Sequence, residues 1–232
     1  MGLVAAARAS LLHLFFPHIC AGCGRDLAGI ESEICFNCLQ QLPETNFASL
    51  PGNPIEKLFA GRIPVHAATS HYFFTKHSIM QNLMHELKYH NNRALGHQLG
   101  IIMGSALVKQ SSFQCTALVP LPLFRGREKK RGYNQSHLLC EGMRSVMDVP
   151  IYHDVVERPE KTITQTRKGR VERWKNMEGK FLLKSPNLVA GKHILLVDDV
   201  VTMGATLESC GSTLLTAPGL TLSIATLCAS IR

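Results

Sequence analysis

Two adjacent aspartates, Asp198 and Asp199, end an apolar run and open a loop of small residues in ILLVDDVVTMGATLESC, positions 194 to 210. KHILLVDD (192 to 199) is β-branched and leucine-rich with no polar alternation, which predicts a parallel strand covered on both faces. TLESCGSTLLTA (206 to 217) predicts the helix after it. In an open parallel sheet, ligands sit beyond the carboxyl ends of the strands. The loop of Thr202, Met203, Gly204, Ala205 and Thr206 lets backbone N–H groups converge at a helix N-terminus, an arrangement that cradles a phosphate. Two carboxylates repel a phosphate unless they have a task of their own, and sugar hydroxyls or a magnesium ion supply one. The chemistry therefore asks for a ligand with a phosphate, a ribose and a metal. A Walker loop would need a lysine that is absent here. A phosphoacceptor receiver would need a whole α/β domain after Asp199. The blandest alternative is that the acids and threonines cap the next helix, although two adjacent aspartates and a T-x-G-x-T turn exceed what a cap requires.

A second group of residues has metal chemistry. Cys20 and Cys23, then eleven residues, then Cys35 and Cys38 make two C-x-x-C pairs, with Gly22 and Gly24 allowing tight turns. Four thiolates complete a tetrahedral zinc site with no position left for a catalytic water, so the expected role is structural. A redox C-x-x-C would be a single pair within a thioredoxin-like pattern. The other cysteines, Cys115, Cys140, Cys210 and Cys228, are scattered in apolar or helical contexts, which points to a reducing, cytoplasmic setting rather than a disulfide scaffold.

The elements that must position these groups follow from pattern. The 232 residues suit one domain with a small module, and the net charge of +8 favours anionic partners without choosing among them. Leu3, Ala7, Leu11, Leu14 and Phe15 recur at helical spacing, whereas Arg8 breaks any signal-peptide run, so no stable membrane insertion is expected. We expect an N-terminal helix and cysteine module over 1–43, a linker over 44–66, and an α/β domain over 67–232. Within that domain, 67–74 reads as a strand, 77–90 and 94–110 as helices, and 116–123 as a strand. A basic, glycine-punctuated loop follows over 124–136, then a helix from His137, a short strand near 149–156, a long polar segment over 157–180, and a last buried strand over 220–229. Alternating strands and helices imply a parallel sheet with right-handed crossovers.

VDDVVTMGAT resembles the phosphoribosyl pyrophosphate (PRPP) signature of type I phosphoribosyltransferases. The chain as a whole resembles the ComF/GntX family: a four-cysteine module, then LKYH, VPLPLFRGREKKRGYNQS, TQTRKGRVERWKNMEGKF and the PRPP motif, in that order from about Leu14 to the end. The resemblance implies a type I phosphoribosyltransferase-like sheet flanked by helices, with a zinc-ribbon-like module ahead of it. It implies that Asp198 and Asp199 bind the ribose hydroxyls of PRPP. Thr202, Gly204, Ala205 and Thr206, with the Met203 backbone, would hold the 5′-phosphate, and magnesium would accompany the ligand. Met203 stands where Thr or Ser is common, a loss of about 1.5–3 kcal/mol at most for a hydroxyl donor to a charged acceptor. Lys88 and Tyr89 match the family's pyrophosphate loop; the alternative for Lys88 is an exposed helix-end lysine favoured by the macrodipole.

Arg125, Arg127, Lys129, Lys130 and Arg131 fall where a mobile loop covers the active site in type I enzymes, and cations there would stabilise departing pyrophosphate. Arg131, Asn134 and Gln135 match the family's R-G-x-N-Q element, as substrate binders, anchors or both. Gln165, Arg167, Arg170, Arg173 and Trp174 read either as a hood over an acceptor or as a basic surface helix with Trp174 in the core. The activity implied is magnesium-dependent phosphoribosyl transfer with pyrophosphate release, linked to natural competence and DNA uptake. Glutamine-dependent chemistry is not expected, because the chain begins MGLV without a nucleophilic N-terminal cysteine. The competing function is a non-catalytic, PRPP-responsive factor that handles single-stranded DNA or meets a competence helicase. Interleaved cations and aromatics suit single strands.

Overall fold

The computed structural model describes residues 18–27, 29, 32–159 and 181–230. The expected N-terminal helix and the segment holding Gln165, Arg167, Arg170, Arg173 and Trp174 lie outside the described residues.

Four parallel strands form the central sheet: β1 (Ala67–Phe73), β2 (Ala117–Pro120), β5 (His193–Val201) and β6 (Thr221–Ala229), in the order β1-β6-β5-β2. Their side chains are almost all buried, as the unbroken apolar runs predict for a sheet covered on both faces. Leu195 and Val197 join one core layer with Leu87, Leu99 and Leu139. Ile194 and Leu196 join the other with Phe59, Leu207 and Leu214. This alternation along β5 is the strand period of two. Both sheet edges are blunted. Glu44 bridges Tyr72 on the outer side of β1, and Ile151 bridges Leu118 on the outer side of β2.

The first face carries α3 (Ile79–Tyr89), α4 (Arg93–Leu107) and α6 (Gln135–Met147). Helices α4 and α6 approach closely through glycines. A Cβ on Gly142 would lie 2.0 Å from the His97 carbonyl, and one on Gly100 would lie 2.2 Å from the Leu139 carbonyl. The short α1 (Phe36–Gln40) belongs to the cysteine module, which docks on α3 and α4. There Asn82 donates to the Gly22 carbonyl and Gln98 accepts from the Glu33 N–H, each at 2.8 Å.

The second face carries α8 (Ala205–Leu214) and α2 (Pro54–Phe59); a four-residue turn of helix, α7 (Pro186–Val189), precedes β5. Residues 44–66, expected as a linker, hold α2 and bury Phe47, Ile55 and Phe59. Asn53, 1 % exposed, fastens this segment. Its Oδ1 caps α2 by accepting from Ile55 and Glu56, and its Nδ2 donates to the carbonyls of Phe47, Leu50 and Ala68.

Two further expectations are corrected. The stretch 124–136 is not a loop throughout: α5 spans Arg125–Arg131. Arg, Lys and Glu are good helix formers, Lys129, Lys130 and Arg131 sit in the last turn where the macrodipole favours cations, and Gly132 at φ 80 terminates the helix. The strand expected over 149–156 is reduced to the Ile151 bridge and to β3 (Val156–Glu157), which pairs antiparallel with β4 (Leu182–Leu183).

Candidate functional site

Strand β2 stops at Pro120, opposite Val197, so β5 runs past its neighbour and Asp198 and Asp199 stand beyond the edge of β2. Each acid is held. Asp198 Oδ1 accepts from Ser136 Oγ at 2.9 Å and from the Asp199 N–H at 2.8 Å. Asp199 Oδ2 lies 3.2 Å from Lys88 Nζ. Burial and the charge of Asp199 push the Asp198 carboxyl up to about 7, against the opposing pull of those hydrogen bonds and of Lys88. Two carboxylates packed this tightly, one of them near half-protonated at neutrality, leave capacity for hydroxyl donors or a divalent cation. The donor chemistry therefore fits both a ribose and magnesium.

Lys88 is not a free helix-end lysine. It sits in the last turn of α3 and reaches across the strand ends to Asp199. Tyr89, 66 % exposed, is brought to Arg131, whose guanidinium lies 5.8 Å from the ring centroid. Arg131 also donates to Gln135 Oε1 at 2.6 Å. Asn134 caps α6 by accepting from Ser136 and donates to the Leu121 carbonyl at 3.0 Å. Asn134 and Gln135 are thus anchors that set the start of α6. That start in turn presents Ser136 to Asp198.

Thr202, Met203, Gly204, Ala205 and Thr206 connect β5 to α8. Gly204 has φ 70, a left-handed conformation that favours glycine, and a Cβ there would meet Phe59 and Leu58. No side chain caps α8, so the acids and threonines do not serve as caps, and the helix N-terminus has N–H groups to offer an anion. Thr202 and Met203 are exposed and Thr206 is half-buried, so the loop is open to solvent. The loop is buttressed by a residue the sequence reading missed. Arg62, just after α2, donates to the carbonyls of Met203 (2.9 Å) and Leu58 (3.0 Å) and pairs with Glu208. Ser136 was missed too. Its position inside the R-G-x-N-Q-S stretch was the available signal for Ser136; nothing in the sequence pointed to Arg62.

Beside the end of β2 lies a groove of about 610 Å³ whose lining includes Arg93, Arg125, Tyr133, Arg158 and Lys184. Tyr133 is fixed there by donating its hydroxyl to the Leu87 carbonyl at 2.5 Å, with Arg93 stacked at 5.4 Å.

The four module cysteines converge, their ligand atoms all lying within 4.8 Å of one another. Cys23 and Cys35 Sγ are 3.9 Å apart, close to the roughly 3.8 Å that a tetrahedral centre with 2.3 Å metal–sulfur bonds requires. Burial alone would raise the Cys20 thiol, but N–H donors from Cys35 and Gly22 outweigh it and bring it down to about 6. Four converging sulfurs at this spacing are compatible with structural zinc.

The fold and site define a parallel α/β protein with an acidic pair at a strand end and a four-cysteine module. No family model matches the chain. It is 28% identical over 194 residues to Competence protein F of Haemophilus influenzae, covering 83% of this chain and 76% of that protein. It is 30% identical over 135 residues to Competence protein ComFC of Bacillus subtilis, covering 58% of this chain and 53% of that protein. Over these lengths the chain is similar to competence proteins of the ComF type. Among solved structures, glutamine PRPP amidotransferase from B. subtilis, complexed with ADP and GMP, aligns with TM-score 0.39 and 16% identity over 55% of this chain and 26% of that one. Among the described residues no helix is long and apolar enough to cross a membrane.

Proposed function

We propose that the protein binds PRPP with magnesium and transfers the phosphoribosyl group to an acceptor with release of pyrophosphate, in service of competence and DNA uptake. The observation that carries this reading is the strand-end pair Asp198–Asp199, held by Ser136 and Lys88 beside an uncapped helix N-terminus. Asp198 and Asp199 take the ribose hydroxyls. The backbone of Thr202 to Thr206 takes the 5′-phosphate, with Thr202 and Thr206 adding hydroxyl donors. Magnesium, when bound, shields the pyrophosphate charge. Lys88 and Arg131 stabilise the charge that grows on pyrophosphate as the C1′–O bond breaks and the acceptor attacks. No covalent residue is needed, so catalysis rests on positioning and electrostatics. The groove beside β2 takes the acceptor. In the module, zinc is the structural ion.

The exposed helix α5, with five cations and no buried residue, favours a second reading, in which PRPP is a switching ligand of a factor that handles single-stranded DNA. Pyrophosphate release from PRPP and Mg²⁺, screened with nucleobases, ammonia and small amines, separates the two. Acceptor-dependent release that Asp198→Ala/Asp199→Ala abolishes establishes the transferase. Mutant-sensitive PRPP binding without release, together with steeply salt-dependent single-strand binding, favours the second.

A further inference from the structure

The last turn of α3 carries side chains that the phosphoribosyl reading does not use. His85, Glu86 and His90 each offer one ligand atom, and the three atoms lie within 4.8 Å of one another. The backbone explains the convergence. His90 ends the helix, its N–H donating to the Glu86 carbonyl at 3.2 Å, and Asn91 at φ 54 turns the chain away immediately after. The His90 ring lies back along the helix, with Nδ1 2.7 Å from Glu86 Oε1 and its centroid 4.9 Å from that of His85. An i,i+4 ion pair explains Glu86 and His90. It does not explain the third donor: His85 is exposed, stands perpendicular to His90, and has no hydrogen bond to any described residue.

We propose that His85, Glu86 and His90 form a second metal site, for a borderline divalent ion such as zinc, cobalt or nickel. Two imidazoles and one carboxylate suit these ions, whereas magnesium prefers an all-oxygen shell. The helix C-terminus adds partial negative charge that favours a cation. Bonds of 2.0–2.1 Å set ligand atoms about 3.3 Å apart in a tetrahedral centre, so the Glu86–His90 pair at 2.7 Å must open by about 0.6 Å and His85 must draw in by about 1.5 Å at most. Rotation of two exposed rings supplies that movement. Three protein ligands leave at least one coordination position open, unlike the closed cysteine set. His85 and Glu86 line a groove of about 460 Å³ together with His18, Cys20 and Cys23, which gives the ion a path from solvent.

Cobalt(II) titration of the full chain, with the cysteine site first filled with zinc, tests this. The wild type is expected to take up one further equivalent, with d–d absorption and no thiolate charge-transfer band. His85→Asn/His90→Asn is expected to lose that equivalent while keeping its zinc content and far-ultraviolet circular dichroism. His85→Asn alone, which leaves the Glu86–His90 pair intact, is expected to lose it as well. No further uptake by the wild type, or equal uptake by the variants, overturns the proposal.

Discussion

Raising the Asp198 carboxyl to about 7 has a cost in stability whose sign can be worked out. An aspartate in an unfolded chain titrates near 3.9. Between pH ~4 and ~7 the folded chain therefore holds a proton that the unfolded chain has released, and the stability this group contributes at low pH is lost as pH rises through that window. Asp198→Asn removes the titration. Thermal melting without ligand is expected to show a flatter profile for the variant between pH 4 and 7.5 and a higher melting temperature than the wild type at pH 7.5; parallel profiles would contradict the assignment. Ribose and magnesium call for the ionised pair, so PRPP binding in the same account tightens as pH rises through 7 and releases protons to buffer. At this scale the aspartates, the loop residues and the cysteines were legible because their chemistry is encoded in adjacency and spacing. Ser136 and Arg62 were obscure because their roles depend on contacts across 62 and 141 positions of chain.

Elements position these residues through a few close contacts. The α4–α6 pair depends on Gly100 and Gly142, where an added Cβ meets backbone that cannot rotate away. Gly142→Ala is expected to cost about 1–3 kcal/mol or more by overpacking, read as a lower urea midpoint at unchanged slope. Arg62 acts on the 202–206 loop from outside. Arg62→Ala is expected to weaken PRPP affinity about tenfold, ~1.4 kcal/mol, with little change in melting temperature because the Arg62–Glu208 pair is partly exposed. An equal loss in stability and affinity would assign Arg62 to folding instead. The long strands and helices could be read from periodicity. Helix α5 could not, because it buries nothing and has no apolar period; only its basic last turn and Gly132 marked it. The packing of 44–66 was hidden for a different reason. Its Pro, Gly and Asn content looks like a linker, yet Asn53 makes four hydrogen bonds that order the segment internally and a fifth that ties it to Ala68 of β1.

For the whole molecule, the cysteine module is continuous with the α/β core. Cys20, Cys38 and Ile34 share a hydrophobic layer with Met80 and Leu83 of α3, and Gly22 packs against Ile79. A metal held by the four cysteines would thus support the helix that carries Lys88. Stripping such a metal with a strong chelator, or Cys38→Ser, is expected to lower the melting temperature and to weaken PRPP binding, although the described contacts of Asp198 and Asp199 include none of the four module cysteines. Retained affinity after metal loss would show that the module and the sheet are uncoupled.

The most direct test of the central claim is calorimetric titration of PRPP with Mg²⁺ into the wild type and Asp199→Ala. The account predicts saturable binding by the wild type that the variant loses, with both proteins equally folded. Unchanged affinity in the variant would contradict the assignment of the strand-end aspartates to the ribose.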